Sequence, residues 1–453
     1  MTRYLLAGAS VLAFIAAAPA LAQSNGNEST ATQTGSNSQI TVEQTGSSGL
    51  STVTQGGDRN RATLDQAGSD NESEIVQDNG VASSDDQNIA TVTQSGSDNF
   101  SRVLQDNDFA TATVIQAATS NESRVTQSGD LDSVRVEQLG DDNSSDVVQT
   151  GNLNTGTVLQ NGDGNISELT QSTGLNQAFV AQDGNDNTSL AVQQGIGANT
   201  LNVAQGGDGN LSDIIQNGAS NGVGSTTAAG AIQLGDDGTI TIRQDGALQE
   251  AFAEQKGGSL NTAAIDQGGA SSSDQNAEIR QDGSRNSADV LQRGFSQTAD
   301  ITQIGDDNAG SGAFLFGAQI IQGSDTGRDN EATITQLSGG NRALVNQQGD
   351  SLSANVTQGG NGGNTSTVMQ AGTGGAVLLN ADVLQNGADN TSLVDQSGTS
   401  QTADVTQLGE DNLSEITQTG SGNTATVTQN SDFNQSFVTQ SGTGSTSTVT
   451  QGL

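Results

Sequence analysis

The sequence predicts an all-β fold: a β-solenoid of stacked strand-turn-strand rungs, with cross-β, amyloid-like ladders along its axis. Three observations predict it. A glutamine returns at fixed spacing along almost the whole chain, the residues before each copy alternate in chemical type, and the side chains that fill globular cores are scarce. Aromatic residues make up 2% of the 453 positions, and cysteine and histidine are absent. Composition alone would leave such a chain disordered, since it buries too little apolar surface to offset chain entropy. A repeat changes that balance, because neighbouring copies can bury one another.

The elements follow in chain order. Residues 1–22, MTRYLLAGASVLAFIAAAPALA, carry Arg3, an apolar run from Leu5 to Ala18, and Ala20-Leu21-Ala22 ahead of Gln23. That pattern is a secretory signal peptide with a small-residue cleavage site, not a membrane anchor. The mature chain, 23–453, is expected outside the cell as one repeat solenoid, with no membrane insertion.

From Gln33, Gln44 and Gln55 to Gln451, the marker glutamine occurs 36 times, and 26 of the 35 intervals are 11 residues. Two before it stands Val, Ile or Leu in 32 units (Val427, Ile416), and four before it Ala or Ser in 31 (Ala425, Ser436). Six before it stands Asn in 22 units (Asn423), and two after it Gly in 28 (Gly442). Steps of two put these side chains on one face of a strand. The recurrent Gly and the β-branched residues exclude an 11-residue helical coiled coil. Each unit is therefore a strand of about seven residues and a short Gly-bearing turn.

Folding consecutive strands so that the fixed faces oppose sets Val against Ala or Ser, and Gln against Asn. Two strands make a rung of 22 residues, and 36 strands make about 18 rungs. A single rung buries too little to stand alone, so its hydrogen bonds come from the rungs above and below. Gln then stacks on Gln and Asn on Asn, keeping buried amides paired. An antiparallel meander would instead leave one apolar face uncovered. Nine intervals exceed 11 residues and six of these follow odd-numbered strands, so insertions are expected mainly along one edge. The longest, IGDDNAGSGAFLFGAQII before Gln322, holds Phe314 and Phe316 and reads as a tolerated loop.

Charge narrows function. The chain has 51 acidic and 13 basic residues, a net charge of −38, which argues against nucleic-acid binding. Without His or Cys, the usual ligands for zinc, copper and haem and the usual general base are missing. No catalytic residue, cofactor or specific metal site is expected. Turn acids such as Asp141, Asp142, Asp306 and Asp307 read as a solvated surface that keeps unassembled chains apart. Turns such as GGDGN (206–210) and GNDN (184–187) offer oxygens for loose divalent-cation association. Thr406, Thr417, Thr428, Thr439 and Thr450 read as one outward row that reflects the strand propensity of Thr.

The phrase N-x5-Q-x-G-x-x-N-x5-Q, as in Asn60-RATLD-Gln66-A-Gly68-SD-Asn71-ESEIV-Gln77, resembles the curlin repeat of curli fibre subunits. The resemblance covers almost all of the mature chain. It implies a secreted functional amyloid that polymerises into extracellular fibres for biofilm matrix, adhesion and cell aggregation. It also implies partners: further copies of the chain, a nucleator subunit and an outer-membrane export pore. In curlins the motif Gln and Asn are implicated in self-assembly. By position that role falls on Asn60, Gln66, Asn71, Gln77, Asn143, Gln149, Asn154 and Gln160, and on Asn412, Gln418, Asn423, Gln429, Asn434, Gln440 and Gln451. The chain departs from the family in having many more repeats. The repeat also begins by Asn27, where curlins carry a pore-addressing segment. The pattern runs on to Gln451, so both ends are expected to present unpaired strand edges that join head-to-tail. A monomeric β-solenoid adhesin is the alternative.

Overall fold

The computed structural model describes residues 26–78, 87–195, 197–223, 230–309, 316–323, 327–372 and 378–452. The expected signal peptide, residues 1–22, and Phe314 lie outside them. Among the described residues there are 37 strands and no helix that is long and apolar enough to cross a membrane.

The chain forms two compact units, one up to Gly164 and one from Asn165. In the first, twelve strands alternate along the chain between two parallel sheets. That makes six turns of a β-solenoid. The second repeats the plan through twelve turns, and one tier is shared by the short strands Gly222–Val223 and Ala231–Gln233.

Within each unit most strands pair with the next but one, in parallel and with matching residues in register. Leu50–Gln55 lies beside Glu72–Gln77, with Val53 opposite Ile75 and Gln55 opposite Gln77. Leu413–Ser421 lies beside Gln435–Thr443, with Ile416 opposite Val438 and Gln418 opposite Gln440. The predicted solenoid with rungs of about 22 residues is the one observed. The alternation explains it: along Thr424–Gln429 every second side chain is buried, and Ala425, Val427 and Gln429 are fully enclosed. Val at one inward site and Ala or Ser at the next set large against small between the sheets, which suits close packing.

The two turns of a rung differ. Leu50–Gln55 stops at its Gln, whereas Arg61–Ser69 runs on through Gly68. Both turns then place the residue four after the Gln in the left-handed region: φ is 61° at Arg59, 57° at Asp70, 60° at Leu131 and 54° at Asp411. Asp tolerates that conformation; Leu and Arg adopt it against a steric penalty.

Two long spacers sit elsewhere than expected. The interval before Gln233 is an insertion within a strand, since Gly222–Val223 and Ala231–Gln233 both pair with Thr200–Gln205. In the stretch before Gln322, Asn308 keeps the regular Asn position and the extra residues follow it. An antiparallel bridge between Ala309 and Phe316 closes that loop. The threonine row also divides. Thr406, Thr428 and Thr450 lie on one sheet, and Thr417 and Thr439 on the other, because consecutive units alternate between sheets.

Candidate functional site: the stacking ladders

The candidate site is the set of contacts by which one rung holds the next. Apart from the outermost, such as the exposed Gln33, a motif Gln ends an inward-facing run and is enclosed by both sheets. Its Nε2 donates to the Oε1 of the Gln 22 residues further on: Gln44 to Gln66 at 2.7 Å, Gln127 to Gln149 at 3.0 Å and Gln138 to Gln160 at 2.8 Å. In the second unit Gln418 donates to Gln440 at 2.8 Å and Gln429 to Gln451 at 2.9 Å. The same Nε2 crosses the interior to the backbone at the start of the preceding strand, as from Gln66 to the Leu50 carbonyl at 3.2 Å and from Gln440 to Thr424 at 2.9 Å.

Two separate Gln ladders result, one per sheet. Gln66 and Gln77 are neighbours in sequence but belong to different ladders: Gln66 continues to Gln94 at 2.7 Å and Gln77 to Gln105 at 2.7 Å. Within the first unit Gln149 likewise stands on the sheet opposite Gln160, and within the second Gln418 and Gln440 stand opposite Gln429 and Gln451.

The Asn positions work differently from the expected amide-on-amide ladder. Their Oδ1 accepts a backbone N–H from the following rung: Asn60 from Asn88 at 2.9 Å, Asn71 from Asn99 at 3.0 Å, Asn412 from Asn434 at 2.9 Å and Asn423 from Ser445 at 3.0 Å. Asn143 and Asn154 supply such N–H groups themselves, to Asn121 Oδ1 at 3.0 Å and Asp132 Oδ1 at 2.8 Å. The Nδ2 mostly donates to turn carbonyls, as from Asn60 to Gly56, Asn143 to Gly162 at 2.7 Å and Asn423 to Thr419 at 3.0 Å. Side-chain contact is added at some steps only, as from Asn434 to Asn412 Oδ1 at 3.0 Å. Asn therefore caps the backbone left open by the turn, while Gln forms the continuous chain of side-chain bonds.

Glycine sets how closely turns stack. A Cβ on Gly46 would lie 1.8 Å from the Gly68 carbonyl oxygen, and one on Gly398 2.0 Å from that of Gly420. Only a residue without a side chain admits the next turn there.

The turn acids are more than a solvated surface. Asp three residues after the Gln accepts the N–H of the matching residue one rung earlier: Asp58 from Ser36 at 2.7 Å, Asp163 from Asp141 at 2.8 Å and Asp432 from Glu410 at 2.9 Å. Hydrogen bonds from the Ser36 hydroxyl and N–H hold the Asp58 carboxyl below its ordinary value. In the turns considered for calcium, Asp208 accepts from the Asn185 N–H at 2.8 Å. Among the described residues no group of three or more acidic side chains converges to hold a metal ion.

Sequence reasoning missed the left-handed turn position, the rung-to-rung role of turn Asp, and a parity inside the repeat. The small inward residue is Ser in the sheet of Ser51, Ser73, Ser101, Ser123 and Ser145, but Ala at Ala62, Ala90 and Ala112 in the other. A 22-residue comparison of the sequence carries that last signal.

The curlin associated repeat model matches eight stretches of this chain: residues 52–78, 140–172, 283–309, 327–360, 379–409, 398–430, 409–442 and 423–452. The chain is a curlin-repeat protein. Its curlin repeats are the ladder units, for each match contains motif Gln residues one sheet apart, as Gln55, Gln66 and Gln77 are in the first. No curated protein matches the chain. The repeats and the β-solenoid together fit a curli-like structural subunit.

Proposed function

We propose that this chain is a secreted structural subunit that stacks head-to-tail on copies of itself into extracellular curli-like fibres for biofilm matrix, adhesion and cell aggregation. One observation carries the reading: a rung binds the next through atoms that nearly every rung owns, so the edge of one copy complements the edge of another. At one end Gln440 and Gln451 each keep an Nε2 hydrogen beyond those used within the chain, and at the other Gln44 keeps its Oε1. Such a contact is heterologous and does not close, which yields filaments. Curlin-family subunits are extracellular and polymerise into fibres, which supports the same reading. Export through the signal at 1–22, a nucleating partner and an outer-membrane pore belong to this proposal. The buried ladder residues from Asn60 to Gln440 act within it by shaping the rung, and the terminal members meet the next copy.

A proline at the open edge tests it. The outward residues of each strand donate their N–H to the following rung, as Thr424 does to the Ser445 carbonyl at 2.8 Å. By the same alternation the Thr448 N–H, on the exposed strand Thr446–Gln451, points toward an incoming copy. Wild-type protein is expected to form filaments with a meridional reflection near ~4.8 Å. Thr448→Pro is expected to stay monomeric and β-rich. Filaments from Thr448→Pro at the wild-type rate would rule out end-stacking. A wild type that stays monomeric would leave the adhesin reading.

A further inference from the structure

One rung breaks the Asn rule with a charge. The position ahead of strand Ser133–Gln138 is Asp132, 1% exposed. The Asn residues in this place do two things. Their Oδ1 accepts an N–H from the next rung, and their Nδ2 donates to a turn carbonyl, as from Asn71 to Ala67 at 2.9 Å and Asn121 to Ala117 at 2.7 Å. Asp132 manages the first, accepting the Asn154 N–H at 2.8 Å. It has no N–H for the second. Its Oδ2 is buried without a hydrogen-bond partner. A Cβ built on Gly129 would meet both that oxygen, at 2.6 Å, and the Gly151 carbonyl oxygen, at 1.5 Å, so the two acceptors share one side of the turn. The carbonyl four residues back, Ser128, is served instead by the Asn107 side chain of the preceding rung. Ala110, in the same place one rung earlier, offers no polar side chain.

We propose that Asp132 makes this rung a pH-gated joint, closed when the carboxyl carries a proton and loosened when it is ionised. The neutral acid has the O–H donor that Asn supplies elsewhere as Nδ2. The carboxylate is a buried charge beside the Gly151 carbonyl oxygen; donors from Asn154 and Gly129 offset it only in part, and no cation does. Its ionisable surroundings are acidic: Asp130 in its own turn, and Asp106 and Asp108 in the turn before. The turn Gly151–Leu153 has none. Arg124 and Arg135, on the outward faces of adjoining strands, are paired with Glu122 and Glu137, and Asp146 also faces outward. The strands Thr111–Gln116 and Thr155–Gln160 carry no charge.

Burial pushes the Asp132 carboxyl up to about 6, opposed by hydrogen bonds from Asn154 and Gly129 and assisted by Asp130. The folded value therefore lies above the unfolded one. The stability from the closed joint is fully present below the ordinary carboxylate value and is lost as pH rises through about 6.

Hydrogen exchange on the full chain tests this, with rates corrected for intrinsic exchange at each pH. In wild type, protection in residues 106–116, 128–138 and 150–160 is expected to fall by up to roughly 100-fold between acid and neutral pH. In Asp132→Asn it is expected to stay high at both. An equal fall in both proteins, or lower protection in Asp132→Asn at neutral pH, would overturn the joint. The carboxyl 13C resonance that disappears in Asp132→Asn gives a second readout. Titration near 6 supports the proposal, and titration near 4 refutes it.

Discussion

Gln418 donates its Nε2 to the Oε1 of Gln440 at 2.8 Å, joining residues 22 apart in the chain across one step of a parallel ladder. The same bond recurs along both ladders, so removing a middle member strands two neighbours at once. Gln105 accepts from Gln77 at 2.7 Å and donates to Gln127 at 2.9 Å. Gln105→Leu leaves one buried donor and one buried acceptor bare, each costing about 1–3 kcal/mol. A urea-midpoint loss equivalent to about 2–5 kcal/mol is expected. Outward-facing Thr126→Ala on the paired strand should change stability by less than about 0.5 kcal/mol.

Glycine substitutions should separate by rung contact. In Gly420→Ala the new Cβ would lie 2.0 Å from the Gly442 carbonyl oxygen, in a backbone with φ 105°. Neither the strand-locked carbonyl nor the backbone can yield, so a loss of about 3 kcal/mol or more is expected. Gly49 occupies an Asn position, and a Cβ there would meet only side-chain atoms, the nearest at 3.3 Å. Gly49→Ala is expected to cost less than about 1 kcal/mol. Thermal unfolding of the two variants side by side decides it.

The ladder was legible because the interior dictates residue type at every second position: Val427 and Gln429 are what the enclosed face of a stacked strand requires. The part played by Asn was less so. Asn71 Oδ1 serves the backbone of Asn99 on the next rung, and a backbone donor leaves no mark in the sequence. The left-handed turn residue escaped for a similar reason. The position is exposed and, although Asp recurs there, Arg59 and Leu131 adopt it too, so no single residue type marks it. The insertion before Gln233 is hard to place from sequence because the Asn position of that unit is held by Asn221, well upstream of the usual six residues before the Gln. The ladder's part in joining separate copies is a question for the edge variant, since nearly all of its members are buried within one chain.

The serine column offers a stabilising change. Ser123 Oγ is buried with no hydrogen-bond partner, between Ser101 and Ser145 in register on the neighbouring strands. The opposite sheet places Ala at the equivalent site, as at Ala112, so the methyl fits the same packing. Ser123→Ala removes an unsatisfied hydroxyl and is expected to raise stability by about 1 kcal/mol. A lowered urea midpoint would mean that the hydroxyl finds a partner in solution.

Charge should make this protein firmer in acid, the reverse of common acid denaturation. Burial raises the carboxyls of Asp289 and Asp300, and burial together with Asp382, directly opposite on the paired strand, raises Asp404. For each the folded value exceeds the unfolded one. The ionised form is thus disfavoured in the fold, and stability falls as pH rises through the raised value. Exposed turn acids that accept backbone N–H groups, such as Asp58, pull the other way but only below the ordinary carboxylate range. Above the ordinary carboxylate range the raised groups and the net charge of −38 act together. The urea midpoint is expected to be higher at the acid end, and Asp404→Asn should raise the neutral midpoint more than the acid one. Salt separates the two causes. Added salt screens repulsion between exposed charges and is expected to shorten the assembly lag at neutral pH, while leaving most of the penalty at the part-buried carboxyls. A lag equal at low and high ionic strength would show that surface repulsion is not what restrains association.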